Sequence, residues 1–222
     1  MITIYTGKPG SGKSYNLTRL VKQYLENGDD VFCNFKINET KLNLKPKKSF
    51  LNKSNKELGT LYHWKRLEEF RKVSNAIIIM DEAQTYFNAR RWKNMTAEDE
   101  IKFQQHRKQG IDIIGAVQNL NRCDTVLREL AGYVYEMKRI GKLFICKRYT
   151  PEDIKSMRRE SSYTEFFWFK KSIAEAYDTA ELINVNLEAE AKNKFIRMSY
   201  YFSDKSIAEK GGETQCQTTM KF

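Results

Sequence analysis

The chain has 222 residues, enough for one large α/β domain with a complete core. It is 41% hydrophobic and 30% charged, no apolar run reaches the roughly 18–20 residues that cross a bilayer, and no basic segment leads into a long apolar stretch at the N-terminus, so a membrane span and a signal peptide are not expected. The net charge of +11 points to an acidic partner, nucleic acid first and an anionic membrane second.

The charge is uneven. Residues 36–72 hold eleven Lys or Arg against four Glu, which fits either a nucleic-acid surface or a solvated basic face. The four cysteines, Cys33, Cys123, Cys146 and Cys216, are scattered and read as reduced thiols. His63 and His106 have no metal-ligand neighbours at useful spacing, so a zinc site is not expected.

In chain order, the apolar run at residues 2–5 predicts a short buried strand. Gly7-Lys8-Pro9-Gly10-Ser11-Gly12-Lys13-Ser14 follows and fits G-x-x-x-x-G-K-[ST], the phosphate-cradling loop. Residues 15–25 then carry apolar side chains at helical spacing. Strand, glycine-rich turn and helix are the context a nucleotide site requires. The glycines let backbone N–H groups approach phosphate, and the helix N-terminus favours the same anion. This stretch, from Gly7 through Tyr15, is the expected ATP-binding segment. Lys13 should reach the β- and γ-phosphates and Ser14 should ligate Mg²⁺.

Residues 27–30 read as a turn and 31–35 as a second strand. Residues 36–56 have little periodicity and read as a loop, with room for a short strand. Leu61, Trp64, Leu67 and Phe70 stand at steps of three, predicting a helix over 58–73. Ala76-Ile77-Ile78-Ile79-Met80 then reads as a parallel strand buried on both faces. It ends in Asp81-Glu82, at the edge where ligands of open α/β sheets bind. Asp81 is expected in the Mg²⁺ shell. Glu82 is placed to orient and deprotonate an attacking water.

Residues 86–93 mix aromatics with bases, which suits nucleic-acid stacking or a core loop. A weak capping signal at Thr96 predicts a helix over 97–108, ended by Gly110. Residues 111–117 read as another buried strand. It ends in Gln118, an amide that can sense a γ-phosphate or place the lytic water. Residues 124–130 suggest a short helix. Residues 132–139 and 143–149 read as strands of an antiparallel hairpin at one sheet edge. Short helical and strand-like readings follow at 151–157, 164–169 and 171–182. The last dozen residues lack a core pattern.

Together these residues resemble the zonula occludens toxin (Zot) domain of filamentous-phage assembly ATPases, within the FtsK/HerA group of P-loop DNA motors. The resemblance rests on the Gly7-to-Ser14 loop and on Asp81-Glu82. It extends through His106-Arg107-Lys108-Gln109-Gly110-Ile111-Asp112-Ile113, Gln118, Asp124 with Leu127-Arg128-Glu129-Leu130, and Ala176-Tyr177-Asp178-Thr179. It covers roughly residues 1–180. It implies a RecA-like, additional-strand sheet, mostly parallel and flanked by helices, with the Gln118 strand between the phosphate-loop strand and the Asp81 strand. It implies a ring, often a hexamer, with ATP between subunits and a neighbour's arginine acting on the transferring phosphate. Arg128 and Arg107 are the candidates, with Arg122 behind them.

The expected organisation is an ATPase domain over 1–182 and a partly helical extension over 183–222. Members of the assembly family continue into a membrane span and a periplasmic segment, which these 222 residues lack. The leading expectation is therefore a viral DNA-packaging motor that grips the DNA phosphate backbone without sequence preference. The alternative is a phage assembly or extrusion ATPase acting with a separate membrane partner. An ATP-gated switch and a small-molecule kinase are further rivals. Asp81-Glu82 argues against the kinase, because the pair suits water activation. The expected location is the host cytoplasm, at a virion vertex or inner membrane through a capsid or membrane-protein partner.

Overall fold

A computed structural model describes residues 1–47, 57–66, 69, 73–87, 101, 103–122, 125–150, 153 and 161–177. Expectations for the 88–100 stretch, most of 151–160 and everything beyond 177 lie outside the described residues. The strands are β1 (Ile2–Thr6), β2 (Val31–Cys33), β3 (Leu61–His63), β4 (Ile77–Met80), β5 (Asp112–Val117), β6 (Ala131–Ile140), β7 (Leu143–Tyr149) and β8 (Tyr163–Trp168). They form one sheet in the order β3-β2-β4-β5-β1-β6-β7-β8. All neighbours from β3 to β6 run parallel; β6–β7 and β7–β8 are antiparallel. The α/β class, the additional strand β5 between β1 and β4, and the edge hairpin all match the expectation.

Helix α1 (Lys13–Asn27) covers one face of this sheet. Leu17, Val21 and Leu25, four residues apart, are all fully buried, so one helical stripe carries the contact. Gly28 ends α1 in the left-handed conformation; its N–H donates to Leu25 O, and Asp29 N–H donates to Tyr24 O. That is a Schellman closure, which satisfies carbonyls the helix leaves open. Among the described residues the shorter helices are α2 (Glu39–Leu42), α3 (Thr125–Leu130) and α4 (Lys171–Ala174).

The structure corrects the helix expected over 58–73. Residues 61–63 are instead strand β3, paired in parallel with β2 through Val31↔Leu61 and Cys33↔His63. The pairing begins with Val31 N–H to Thr60 O and continues with Trp64 N–H to Cys33 O. Phe32 stacks on Tyr62 at 4.6 Å. The open edge of β2 thus took a backbone partner, and side-chain spacing alone did not reveal that. The helix expected over 171–182 stops at Ala174, because Tyr177 forms an antiparallel bridge with Ile37 and Asn38 N–H donates to Ala176 O. The second strand ends at Cys33, two residues early. The loop after it holds the single turn α2, capped by Asn38 Oδ1 accepting from Thr40 N.

The antiparallel end of the sheet packs on α1 through aromatic rings. Tyr15 stacks on Phe144 at 4.6 Å, and Phe144 on Phe167 at 5.1 Å. Phe169 lies 5.6 Å from Tyr15. Phe144 is 1% exposed. Removing its ring leaves a cavity inside this stack, so Phe144→Ala should lower unfolding free energy by about 3–5 kcal/mol, read from the urea midpoint.

Candidate functional site

The parallel register sets the site. β1, β5 and β4 end together, with Thr6 opposite Val117 and Met80 opposite Gly115. The residues that follow each strand therefore share one edge: the glycine loop after β1, Gln118 after β5 and Asp81-Glu82 after β4. In open α/β sheets this carboxyl edge is the ligand edge.

The loop needs its glycines. Gly12 has φ +91°, and a Cβ there would sit 2.2 Å from the Phe144 ring. At Gly7 a Cβ would meet Met137 O at 2.6 Å and Ser11 Oγ at 2.7 Å. Hairpin residues thus press the loop from outside, and Ser11 fills it from within. Ser11 Oγ is buried with no hydrogen-bond partner. Lys13 is only 7% exposed, and its Nζ donates to Gly7 O at 2.9 Å and to Lys8 O at 3.3 Å. The ammonium therefore lies across the loop. The Tyr15 side chain turns into the aromatic stack, where its hydroxyl accepts from Lys170 N at 2.7 Å. Only its backbone faces the loop side of the helix start.

Across from the loop, Asp81 accepts from Ser14 Oγ at 2.5 Å and from Glu82 N at 2.9 Å. Its backbone is clamped by one side chain: Asp81 N donates to Asn34 Oδ1 at 2.7 Å, and Asn34 Nδ2 donates to Asp81 O at 2.8 Å. Burial pushes the Asp81 carboxyl above the ordinary value of 3.8, against the opposing pull of the Ser14 hydroxyl and the Glu82 N–H.

Glu82 takes a left-handed backbone, φ +48°, at the start of a 3-10 turn over Ala83–Thr85. That turn packs its Ala83 methyl against Gly115, where any β5 side chain would crowd it at 3.1 Å. The strained backbone aims the carboxylate between two amides. Gln118 Nε2 donates to Glu82 Oε1 at 3.1 Å, and Gln84 Nε2 donates to Glu82 Oε2.

The expected residues of the loop, Asp81, Glu82 and Gln118 therefore converge. Arg107 and Arg128 do not join them within one chain. Arg107 is exposed on the 3-10 turn His106–Gln109 that leads into β5, a strand length of about 20 Å from the Gln118 end. Arg128 precedes Ala131 by one turn of α3, and Ala131 pairs with Ile2 at that far edge. Nothing is described of the Arg122 side chain. His106, in the same 3-10 turn, is buried and donates Nδ1–H to Phe103 O at 2.6 Å, a structural contact. Sequence reasoning assigned no role to Asn34 or Gln84. Gln84 stands two residues after Glu82 and was legible as its partner, whereas Asn34 directly follows β2 and nothing in the spacing ties it to Asp81, 47 residues on.

The donor set suits a magnesium nucleotide. Ser14 and Asp81 offer hard oxygens side by side, and the glycine loop presents a lysine and an unpartnered buried hydroxyl where phosphate oxygens would sit.

The family model of zonular occludens toxin (Zot) matches residues 1–180. Gene 1 proteins of Enterobacteria phage I2-2 and Salmonella phage IKe are 28% and 27% identical to the chain over 156 residues. Each alignment covers 65% of this chain and 42% of the relative, so the chain spans less than half the length of the curated relatives it matches. The crystal structure of the N-terminal domain of zonular occludens toxin from Neisseria meningitidis is similar in fold. Its TM-score is 0.51 at 21% identity, covering 80% of this chain and 98% of that one.

The buried Asp81 carboxylate has a stability consequence. Between the ordinary pKa near 3.8 and its raised folded value, the folded state holds a proton that the unfolded state has lost. Stability therefore falls as pH rises through that window, and the charge is a burden at neutral pH. Asp81→Asn should raise the melting temperature of the nucleotide-free protein at pH 7, with the gain shrinking to nothing below pH 3.8. Melting temperatures of both proteins across pH 3–8 check this.

Proposed function

The chain belongs to the zonular occludens toxin (Zot) family, and we propose that it forms an ATP-hydrolysing motor domain of phage morphogenesis. The observation that carries the proposal is the Glu82 carboxylate held between Gln118 and Gln84, across the strand ends from Lys13 and Ser14. Residues 7–15 would wrap the phosphates with backbone N–H groups. Lys13 would leave the Gly7 and Lys8 carbonyls for β- and γ-phosphate oxygens. Ser14 and Asp81 would hold Mg²⁺, which offsets phosphate charge when bound. Glu82 would accept a proton from the water that attacks the γ-phosphorus. The bond from that phosphorus to the β–γ bridging oxygen breaks, and ADP leaves. Gln118, which donates to Glu82 Oε1, would keep that carboxylate aimed and report a γ-phosphate to β5.

Arg107 and Arg128 belong to elements at the opposite strand ends, and one of them would serve a neighbouring subunit rather than its own site. That placement supports a ring, hexameric by the family resemblance, with one of them acting in trans. The match ending at residue 180 supports an ATPase domain over 1–182 followed by a separate segment. The net charge of +11 supports DNA as the acidic partner, gripped through phosphates. Two phage roles fit such a motor: genome packaging into a capsid, and assembly or extrusion with a membrane-protein partner in the host.

Steady-state hydrolysis tests the proposal. Glu82→Gln should lower kcat by about 10²–10⁴-fold while ATP binding persists. Hydrolysis that survives this change would sink the assignment. Salt-sensitive stimulation of the wild-type rate by DNA alone favours packaging. A rate that ignores DNA until a membrane partner is added favours assembly.

A further inference from the structure

The β6–β7–β8 ribbon has two unlike faces. Strand pairing puts Phe144, Cys146 and Phe167 on the face that packs against α1. The other face is set by the pairs Ile140↔Leu143, Leu143↔Trp168 and Ile145↔Phe166, since directly opposed residues share a face. Near the start of β6 this face is closed: Val134 and its partner Tyr149 are buried. Toward the turn it opens. Ile140 is 66% exposed, Phe166 61% and Trp168 68%.

The same face carries Lys138 and Lys147, and the turn itself is Gly141-Lys142, also exposed. Its one acid on β6, Glu136, is already engaged: it accepts from Tyr149 Oη at 3.4 Å and lies 3.6 Å from Lys138 Nζ. With Lys138, Lys142 and Lys147 against Glu136, the face and its turn carry a surplus of positive charge around the apolar and aromatic side chains of Ile140, Leu143, Ile145, Phe166 and Trp168. Phe166 and Trp168 are two residues apart on an edge strand, about 6.8 Å along its axis. β6 is paired to β1 up to Glu136↔Thr6, and its last four residues run on past the end of β1, on the side where the phosphate loop begins.

We propose that this face binds single-stranded nucleic acid, with Phe166 and Trp168 stacking on bases and Lys138, Lys142 and Lys147 meeting the phosphates. The inference deepens the motor reading by naming its track and where the track lies. Rings fixed on a rigid sheet offer flat surfaces to unpaired bases, and lysines between them match a backbone of alternating base and phosphate. A duplex hides its base faces in the stack and offers no such partner. A lipid surface fits less well, because the apex of the hairpin is Lys142, which insertion would carry into the apolar layer.

The test is anisotropy of a fluorescein-labelled 20-mer oligothymidylate with the full chain, comparing wild type, Phe166→Ala/Trp168→Ala and Trp168→Tyr. A fluorescent ATP analogue, bound equally by all three, shows that the nucleotide site is intact. The double variant should bind the oligomer at least about tenfold more weakly, and Trp168→Tyr should keep most of the affinity. Equal affinity in wild type and double variant, or no wild-type binding, overturns the proposal. So does a double variant that keeps its oligomer affinity but loses self-association in sedimentation or flotation with anionic vesicles, since the face then belongs to a second copy or a membrane. Absence of ATP hydrolysis in the wild type would fail the motor reading alone and leave the affinity comparison standing.

Discussion

The insertion of β5 between β1 and β4 is the constraint on which the site depends. Parallel strands carry no turn between them, so each of the three must bring its own following loop to the same edge. The pairing of Thr6 with Val117 and Met80 with Gly115 then fixes what those loops are: phosphate loop, amide and acid pair. Slipping β5 by one residue would turn Ile113 and Ile114 to opposite faces and carry Gln118 away from Glu82. Gly115 is part of the same fit, since the turn carrying Glu82 rests on it.

Above that frame sits a polar web that holds charge ready rather than adding stability. Asn34 fixes the Asp81 backbone from both sides, and Ser14 ties the Asp81 carboxylate to the helix that carries Lys13. Gln84 and Gln118 hold Glu82 in a backbone conformation that a non-glycine residue adopts at a cost of about 1–3 kcal/mol. The aromatic stack of Tyr15, Phe144 and Phe167 supplies the compensating burial on the other side of the loop. The same hairpin that braces Gly7 and Gly12 exposes its far face, so one element links the nucleotide edge to a surface outside it.

Much of this was legible in the residues. The phosphate loop is a local motif whose backbone demands leave few alternatives. The apolar runs at 76–80 and 111–117 read as buried strands, and the hairpin announces itself through Gly141. The segment at 58–73 misled because Leu61 and Trp64 fit a helical step equally well, while the deciding partner, the open edge of β2, is 30 residues away in sequence. Asn34 escaped notice for a related reason: its importance lies in Asp81, 47 residues on, and no spacing rule connects them. Tyr15 showed the reverse. It closes the motif by position, yet its ring belongs to the core and only its backbone remains for a nucleotide. The roles proposed for Arg107 and Arg128 need a neighbouring subunit, and the spacing of one chain does not encode that.

The most direct measurement is a crystal structure of the protein with Mg²⁺ and a slowly hydrolysed ATP analogue. The account predicts the β- and γ-phosphates inside the Gly7-to-Ser14 loop, Lys13 Nζ moved from the Gly7 and Lys8 carbonyls onto phosphate oxygens, and the metal about 2.1 Å from Ser14 Oγ with Asp81 in its shell. Ser14 Oγ would meet the metal through a lone pair while its proton stays toward Asp81. A nucleotide seated away from the loop, or a metal that does not touch Ser14 Oγ, would contradict the account.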